Sequence, residues 1–113
     1  MKKIYHLKTC DTCRRILKEM DTTGYTLQEI KTEQITVKQL DELYKLTKSY
    51  EVLFSRRAKK YKQMDLKNQT LTEQDFRQLI LDEYTFLKRP VIIDGTKVYV
   101  GNIKKRVDTF CKS

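Results

Sequence analysis

The segment KKIYHLKTCDTCRRIL, residues 2–17, carries the signals that decide the fold. Its first six residues, KKIYHL, are rich in β-forming side chains and predict a strand. From Cys13 onward, apolar residues recur at i, i+3, i+4 and i+7, which predicts one buried face of a helix. The chain therefore begins with a strand and a helix, joined at a Cys-x-x-Cys motif formed by Cys10 and Cys13.

Capping signals and a second β-rich run define the middle of the chain. YTLQEI predicts a second strand, and the boxes Thr36-x-x-Gln39 and Thr72-x-x-Asp75 each begin a helix. YEVLF, between these two helices, predicts a further short helix or turn. This middle region is thus predicted to be helical.

The end of the chain predicts a hairpin and a last helix. PVIIDGTKVYV contains two β-branched runs joined at Asp94-Gly95, and Asn102 caps a helix with Cys111 on its apolar side. The predicted order is β-α-β-α-α-α-β-β-α. It indicates a single domain over residues 1–113, an α/β fold with a mixed four-stranded sheet.

Composition narrows the function classes. There are 24 Lys and Arg against 15 Asp and Glu, a formal charge of +9. Because most cations are scattered, we interpret them as a solvated surface. The dense cluster SRRAKKYK contains one aromatic residue, Tyr61, so a nucleic-acid partner is not expected. No apolar run predicts a membrane span, and no signal peptide is evident. We expect a cytoplasmic protein whose thiols are kept reduced.

The cysteine motif lies where unpaired N–H groups and the helix dipole favour negative charge. A thiolate on Cys10 would be stabilised there, with Arg14 and Arg15 nearby. Cys13 lies one turn later, close enough for a disulfide, so the pair could cycle between dithiol and disulfide.

Other interpretations of the thiols remain open. A metal site is not expected, because zinc would need two more ligands and only Cys111 and His6 are available as soft donors. A structural disulfide would close too small a loop to stabilise much. Cys13 could be a passive buried residue, and Cys111 either a core residue or a resolving thiol. The sequence favours a reactive Cys10.

Pro90 and Arg89 allow two interpretations each. Pro90 could simply begin a strand, or it could form a cis bond that faces the cysteine motif. Arg89 could be a surface cation or an anion-binding group. In SRRAKKYK, one guanidinium could likewise turn toward a tetrahedral oxyanion.

Three motifs in order resemble the ArsC/Spx/YffB family: IYHLKTCDTCR, LFSRRAKKYKQMDL and RPVIIDGTKVYVGN. This family comprises glutaredoxin-coupled arsenate reductases, Spx regulators and small relatives. The resemblance runs the length of the chain. It implies a thioredoxin-like sheet with a helical insertion before the hairpin, and a cis bond before Pro90.

The resemblance also implies roles for individual residues. Cys10 corresponds to the family's nucleophile and Cys13 to the second redox cysteine of Spx. Arg89 corresponds to the oxyanion-holding arginine of the reductases, and Arg57 to an arginine of Spx and YffB-type members. His6 corresponds to a histidine beside the active-site loop. Thr9 completes the predicted substrate-binding residues.

Two departures from the reductases limit the analogy. Their middle oxyanion arginine aligns with Ser55, and their third arginine aligns near Val100 or Gly101. A three-arginine cradle is therefore absent unless Arg56 or Arg57 substitutes. Against Spx, Ser49 stands near the position of the glycine at the polymerase contact.

These observations predict a thiol oxidoreductase that acts on a small oxyanion or oxidised thiol. The resemblance implies glutathione, glutaredoxin or thioredoxin as reductant, with no bound cofactor. The alternative is an Spx-like redox switch that binds the RNA polymerase α subunit.

Overall fold

A computed structural model of the chain describes residues 2–101. The described chain forms two compact units: the residues up to 34 together with those from 89 onward, and Ile35–Lys88. The predicted last helix and Cys111 lie outside the described residues. The assignment of residues 1–113 to a single domain stays a prediction.

The first unit contains a four-stranded mixed sheet, as predicted. Its strands are β1 (Lys2–His6), β2 (Thr26–Glu29), β3 (Val91–Asp94) and β4 (Lys97–Val100). They lie in the order β2-β1-β3-β4, with β1 parallel to β2 and antiparallel to β3, and β3 antiparallel to β4. Gly95 has a φ of 63°, which glycine adopts without strain, so the hairpin turns where Asp94-Gly95 predicts.

Helix α1 (Asp11–Glu19) packs its predicted apolar face on this sheet. Ile16 of the helix and Met20 just after it form a buried cluster with Ile4 and Ile92 of the two central strands. The start of α1 lies at the carboxyl end of β1, because only four residues separate the helix from that strand.

In strand β2 the buried side chain is polar and its apolar neighbour is exposed. Leu27 is 47% exposed, whereas Gln28 is 2% exposed. The Gln28 amide donates a hydrogen bond of 2.9 Å to the Glu33 carbonyl oxygen. A buried amide is tolerated when it is hydrogen-bonded in this way.

The second unit is the predicted helical insertion between β2 and β3. It contains α2 (Val37–Thr47), α3 (Lys59–Gln63) and α4 (Glu73–Asp82), with single 3₁₀ turns between or after them. Both predicted capping boxes are formed, at the starts of α2 and α4. YEVLF folds as one of the 3₁₀ turns, at Glu51–Leu53.

Aromatic rings form the centre of this unit. Phe54 stacks on Phe86 at 5.0 Å between ring centroids and lies 4.9 Å from the ring of Phe76.

Within residues 2–101, no helix has the length and apolar composition needed to cross a membrane.

Candidate active site

The loop between β1 and α1 places Cys10 at the start of the helix. The Cys10 N–H donates to the Leu7 carbonyl oxygen at 3.1 Å, and the Arg14 N–H donates to the Cys10 carbonyl oxygen at 3.0 Å. Cys10 is therefore the N-cap residue of α1, with extended backbone angles. Its side chain is half-buried, so an incoming substrate can reach the sulfur.

The surroundings of Cys10 favour its thiolate. Burial by itself raises the pKa of the Cys10 thiol. That effect is outweighed by the Cys13 N–H, the Cys13 thiol, the charge of Arg89 and the Thr12 N–H, so the net pKa lies below that of an ordinary cysteine. The Cys10 side chain forms no capping hydrogen bond, but the Cys13 and Thr12 N–H groups at the start of the helix still favour the thiolate.

Cys13 has the opposite environment. Its side chain is fully buried on the first turn of α1. The pKa of the Cys13 thiol is raised to about 12, mainly by burial and to a smaller extent by the neighbouring Cys10. Both cysteines are free thiols in this structure. Cys10 therefore ionises at a lower pH than an ordinary cysteine, whereas Cys13 stays protonated at neutral pH.

Arg89 and Pro90 lie beside the pair, in the segment that enters β3. The peptide bond between them is cis, as the resemblance implies. Pro90 is buried, and its carbonyl oxygen accepts a hydrogen bond of 2.9 Å from the Gly101 N–H. The positive charge of Arg89 lowers the pKa of both Cys10 and Cys13, so its guanidinium acts on the cysteine pair.

Glu29, which the sequence analysis did not identify, anchors the loop that leads to Cys10. Its Oε2 accepts a hydrogen bond of 3.0 Å from the Lys8 N–H, and its Oε1 accepts from the Lys31 and Thr32 N–H groups. The contact depends on the parallel pairing of β1 with β2, in which Glu29 stands opposite His6, and sequence spacing does not give that register.

The pattern of the ArsC family matches residues 5–110. The chain belongs to the ArsC family. The Global transcriptional regulator Spx 1 of Bacillus cereus is 26% identical over 113 residues, which cover 97% of this ArsC-family chain and 86% of that protein.

Solved structures show the same thioredoxin-like fold for this ArsC-family chain. The YFFB protein superposes with a TM-score of 0.82 at 19% identity, covering 98% of this chain and 99% of that one. An arsenate reductase from Vibrio cholerae superposes with a TM-score of 0.79 at 17% identity, covering 96% of each chain. At these identities the likeness shows the fold alone.

The remaining predicted site residues of this ArsC-family chain lie in different places. His6 is buried at the end of β1, and burial is the main cause that lowers its pKa. Thr9 is exposed in the loop directly before Cys10. Arg57 is exposed in the second unit, just before α3, and its substrate role stays a prediction.

Proposed function

We propose that this ArsC-family chain is a cytoplasmic thiol oxidoreductase in which the Cys10 thiolate is the nucleophile. The observation that carries the proposal is the pairing of a pKa-lowered, half-buried thiol with a buried, protonated thiol one helical turn away. The first thiol can attack a substrate at neutral pH. The second is positioned to resolve the product.

The proposed reaction with an oxidised thiol proceeds in two exchanges. The Cys10 thiolate attacks one sulfur of the substrate disulfide, forms a mixed disulfide and releases the other sulfur as a thiolate. Cys13 then loses its proton and attacks Cys10, which forms the Cys10–Cys13 disulfide and releases the second substrate thiol. Glutathione, glutaredoxin or thioredoxin would return the pair to the dithiol; no bound cofactor or metal takes part.

The order of these steps follows from how the two sulfurs influence each other. The charge of Cys10 and its hydrogen bond with Cys13 both raise the pKa of Cys13. Once Cys10 is part of a mixed disulfide, its negative charge is gone and this influence ends. Burial, the main cause of the raised pKa, remains, but without the charge of Cys10 the pKa of Cys13 falls, so the resolving thiol loses its proton more readily after the nucleophile has reacted than before.

Arg89 would stabilise negative charge on the substrate, whether an oxyanion or a departing thiolate. Because the family's other oxyanion arginines align with Ser55 and the Val100–Gly101 region, an oxidised thiol is the better-supported substrate. For arsenate, Arg57 is the candidate second cation.

Turnover measurements separate the substrates. We expect the full chain to reduce a low-molecular-weight disulfide or glutathionylated thiol faster than glutathione and glutaredoxin alone do, and Cys10→Ser to abolish this added activity. Arg89→Ala should lower the rate about 100-fold. Arsenate is tested in the same assay. Activity that survives in Cys10→Ser would contradict the proposal.

A second candidate function is a redox-switch regulator that binds the RNA polymerase α subunit. The relative that supports it is the Spx 1 regulator, which aligns with 97% of this chain. Oxidant-dependent co-purification with the α subunit, lost in Cys10→Ser and Cys13→Ser, would favour this function. Turnover of small substrates without any such association would favour the enzyme.

A further inference from the structure

A groove of about 390 Å³ runs along one flank of α1 and is lined at one end by Cys13. Its floor is apolar, formed by the buried Leu7 and Cys13 and the half-buried Leu17. Cys13 and Leu17 are one turn apart on the same face of the helix. Cys13 is hydrogen-bonded to Cys10, so the groove begins one side chain away from the proposed nucleophile.

Three exposed cations border this floor: Lys8, Arg14 and Lys18. None of the lining residues carries a carboxylate. Arg14 is paired with Asp11, whereas Lys8 and Lys18 form no ion pair within residues 2–101. The groove therefore combines an apolar floor with positive charge along its edge.

We infer that this groove binds a peptide segment of a protein partner, in which an apolar side chain is flanked by acidic residues. The apolar side chain would pack between Leu7 and Leu17, and the carboxylates would pair with Lys8 and Lys18. This inference rests on the proposed function and names its substrate class: a protein whose oxidised cysteine lies beside an acidic, apolar segment.

The groove's form and charge favour such a segment over other occupants. It follows two turns of α1 and is open to solvent, which suits an extended chain. Its edge cations could also pair with phosphates, but beyond the buried His6 its lining has no aromatic ring on which a base could stack. Residues 102–113 of this chain, NIKKRVDTFCKS, carry four basic residues and one acidic residue, so their positive charge would be repelled by the cations of the groove.

The reaction has the same balance as the proposed exchange. The Cys10 thiolate attacks the cysteine sulfur of the bound peptide and displaces the group attached to it as a thiolate. Cys13 then loses a proton, forms the Cys10–Cys13 disulfide and frees the peptide thiol. Binding in the groove raises the local concentration of the peptide disulfide at Cys10.

Activated peptides test the inference directly. Three hexapeptides share an N-terminal cysteine that is joined by a disulfide to 5-thio-2-nitrobenzoate. In the first peptide the cysteine is followed by glycine, leucine and acidic residues. The second has basic residues in place of the acidic ones, and the third has serine in place of the leucine. We expect the full-length protein to react about tenfold faster with the first than with the second at low salt, as two exposed ion pairs would give. The advantage should shrink at high salt.

Variants assign the effect to the groove. Lys8→Glu and Lys18→Glu should remove or reverse the preference for the acidic peptide. Lys97→Glu, an equally exposed change on β4 outside the groove, should leave it intact. Equal rates with all three peptides, or an unchanged preference in both groove variants, would overturn the inference while leaving the proposed function in place.

A binding measurement without chemistry keeps the two proposals separable. A fluorescent acidic-leucine peptide with serine in place of cysteine should bind in fluorescence anisotropy and lose affinity in Lys18→Glu. If it binds in this way but Cys10 reacts no faster than a free cysteine, the proposed function fails and the groove stands. Displacement of the probe by a synthetic peptide of residues 102–113 would assign the groove to the chain itself and overturn the inference.

Discussion

Cys10 and Cys13 lie one helical turn apart, yet their thiols have opposite environments. Cys10 caps the helix, where amide N–H groups and Arg89 outweigh the cost of partial burial and lower its pKa. Cys13 is fully buried, and its pKa is raised to about 12. The proposed nucleophile and the proposed resolving thiol thus differ in their surroundings at the start of α1.

Removal of the Arg89 charge should raise the pKa of the Cys10 thiol, because that charge favours the thiolate. Arg89→Gln should therefore shift the pH profile of Cys10 alkylation to higher pH, whereas Arg89→Lys should preserve most of the effect. Peptide-resolved mass spectrometry of iodoacetamide-treated protein measures the shift.

Arg15→Gln is the matched control for this experiment. Arg15 follows the cysteine motif closely but contacts Glu19 at 3.6 Å. Equal shifts in Arg89→Gln and Arg15→Gln would show that net charge, rather than the placement of Arg89, sets the pKa.

The buried His6 should make the protein less stable in acid. Burial is the largest cause that lowers its pKa, Lys8 lowers it as well, and Glu29 partly opposes them. A lowered pKa means that stability is fully present above about pH 6.5, the value in the unfolded chain, and is lost as pH falls through the folded-state pKa.

The measurement is the free energy of unfolding in urea at pH 7.5 and at pH 5.5. His6 is the only histidine in the sequence, so His6→Asn should lose less stability between these two pH values than the wild type. The same loss in both proteins would show that protonation of His6 does not oppose folding.

Local sequence patterns predicted the fold well at positions where one residue type is required by the local backbone. The boxes at Thr36 and Thr72 cap helices because a hydroxyl satisfies an end amide. Asp94-Gly95 forms the hairpin because Gly95 accepts a positive φ. These features depend only on residues that are neighbours in the sequence, so they can be predicted without knowledge of the tertiary structure.

Contacts between distant segments were harder to predict. The carboxylate of Glu29 reaches the Lys8 N–H across 21 residues, and sequence spacing alone gives no register for parallel strands. The burial of Gln28 in place of Leu27 likewise depends on a hydrogen bond to Glu33. The cis bond at Pro90 came from the family resemblance, since composition left both isomers open.

The contact between Glu29 and the cysteine loop has a measurable effect on stability. Glu29→Ala leaves the Lys8, Lys31 and Thr32 N–H groups without this acceptor. We expect a loss of about 1 kcal/mol in the free energy of unfolding. Glu33→Ala is the matched control, since its side chain is exposed and its main-chain contacts are retained. An equal loss in both variants would contradict the assigned role.

The rate of Cys10 alkylation by iodoacetamide as a function of pH shows whether the start of α1 stabilises the Cys10 thiolate. It should be followed by peptide-resolved mass spectrometry in the wild type and in Cys13→Ser, whose hydroxyl can still donate to the sulfur. We expect a midpoint below about 8.5, the value of a free cysteine, in both proteins. A midpoint at or above that value would contradict the claim that the start of α1 holds Cys10 as a thiolate.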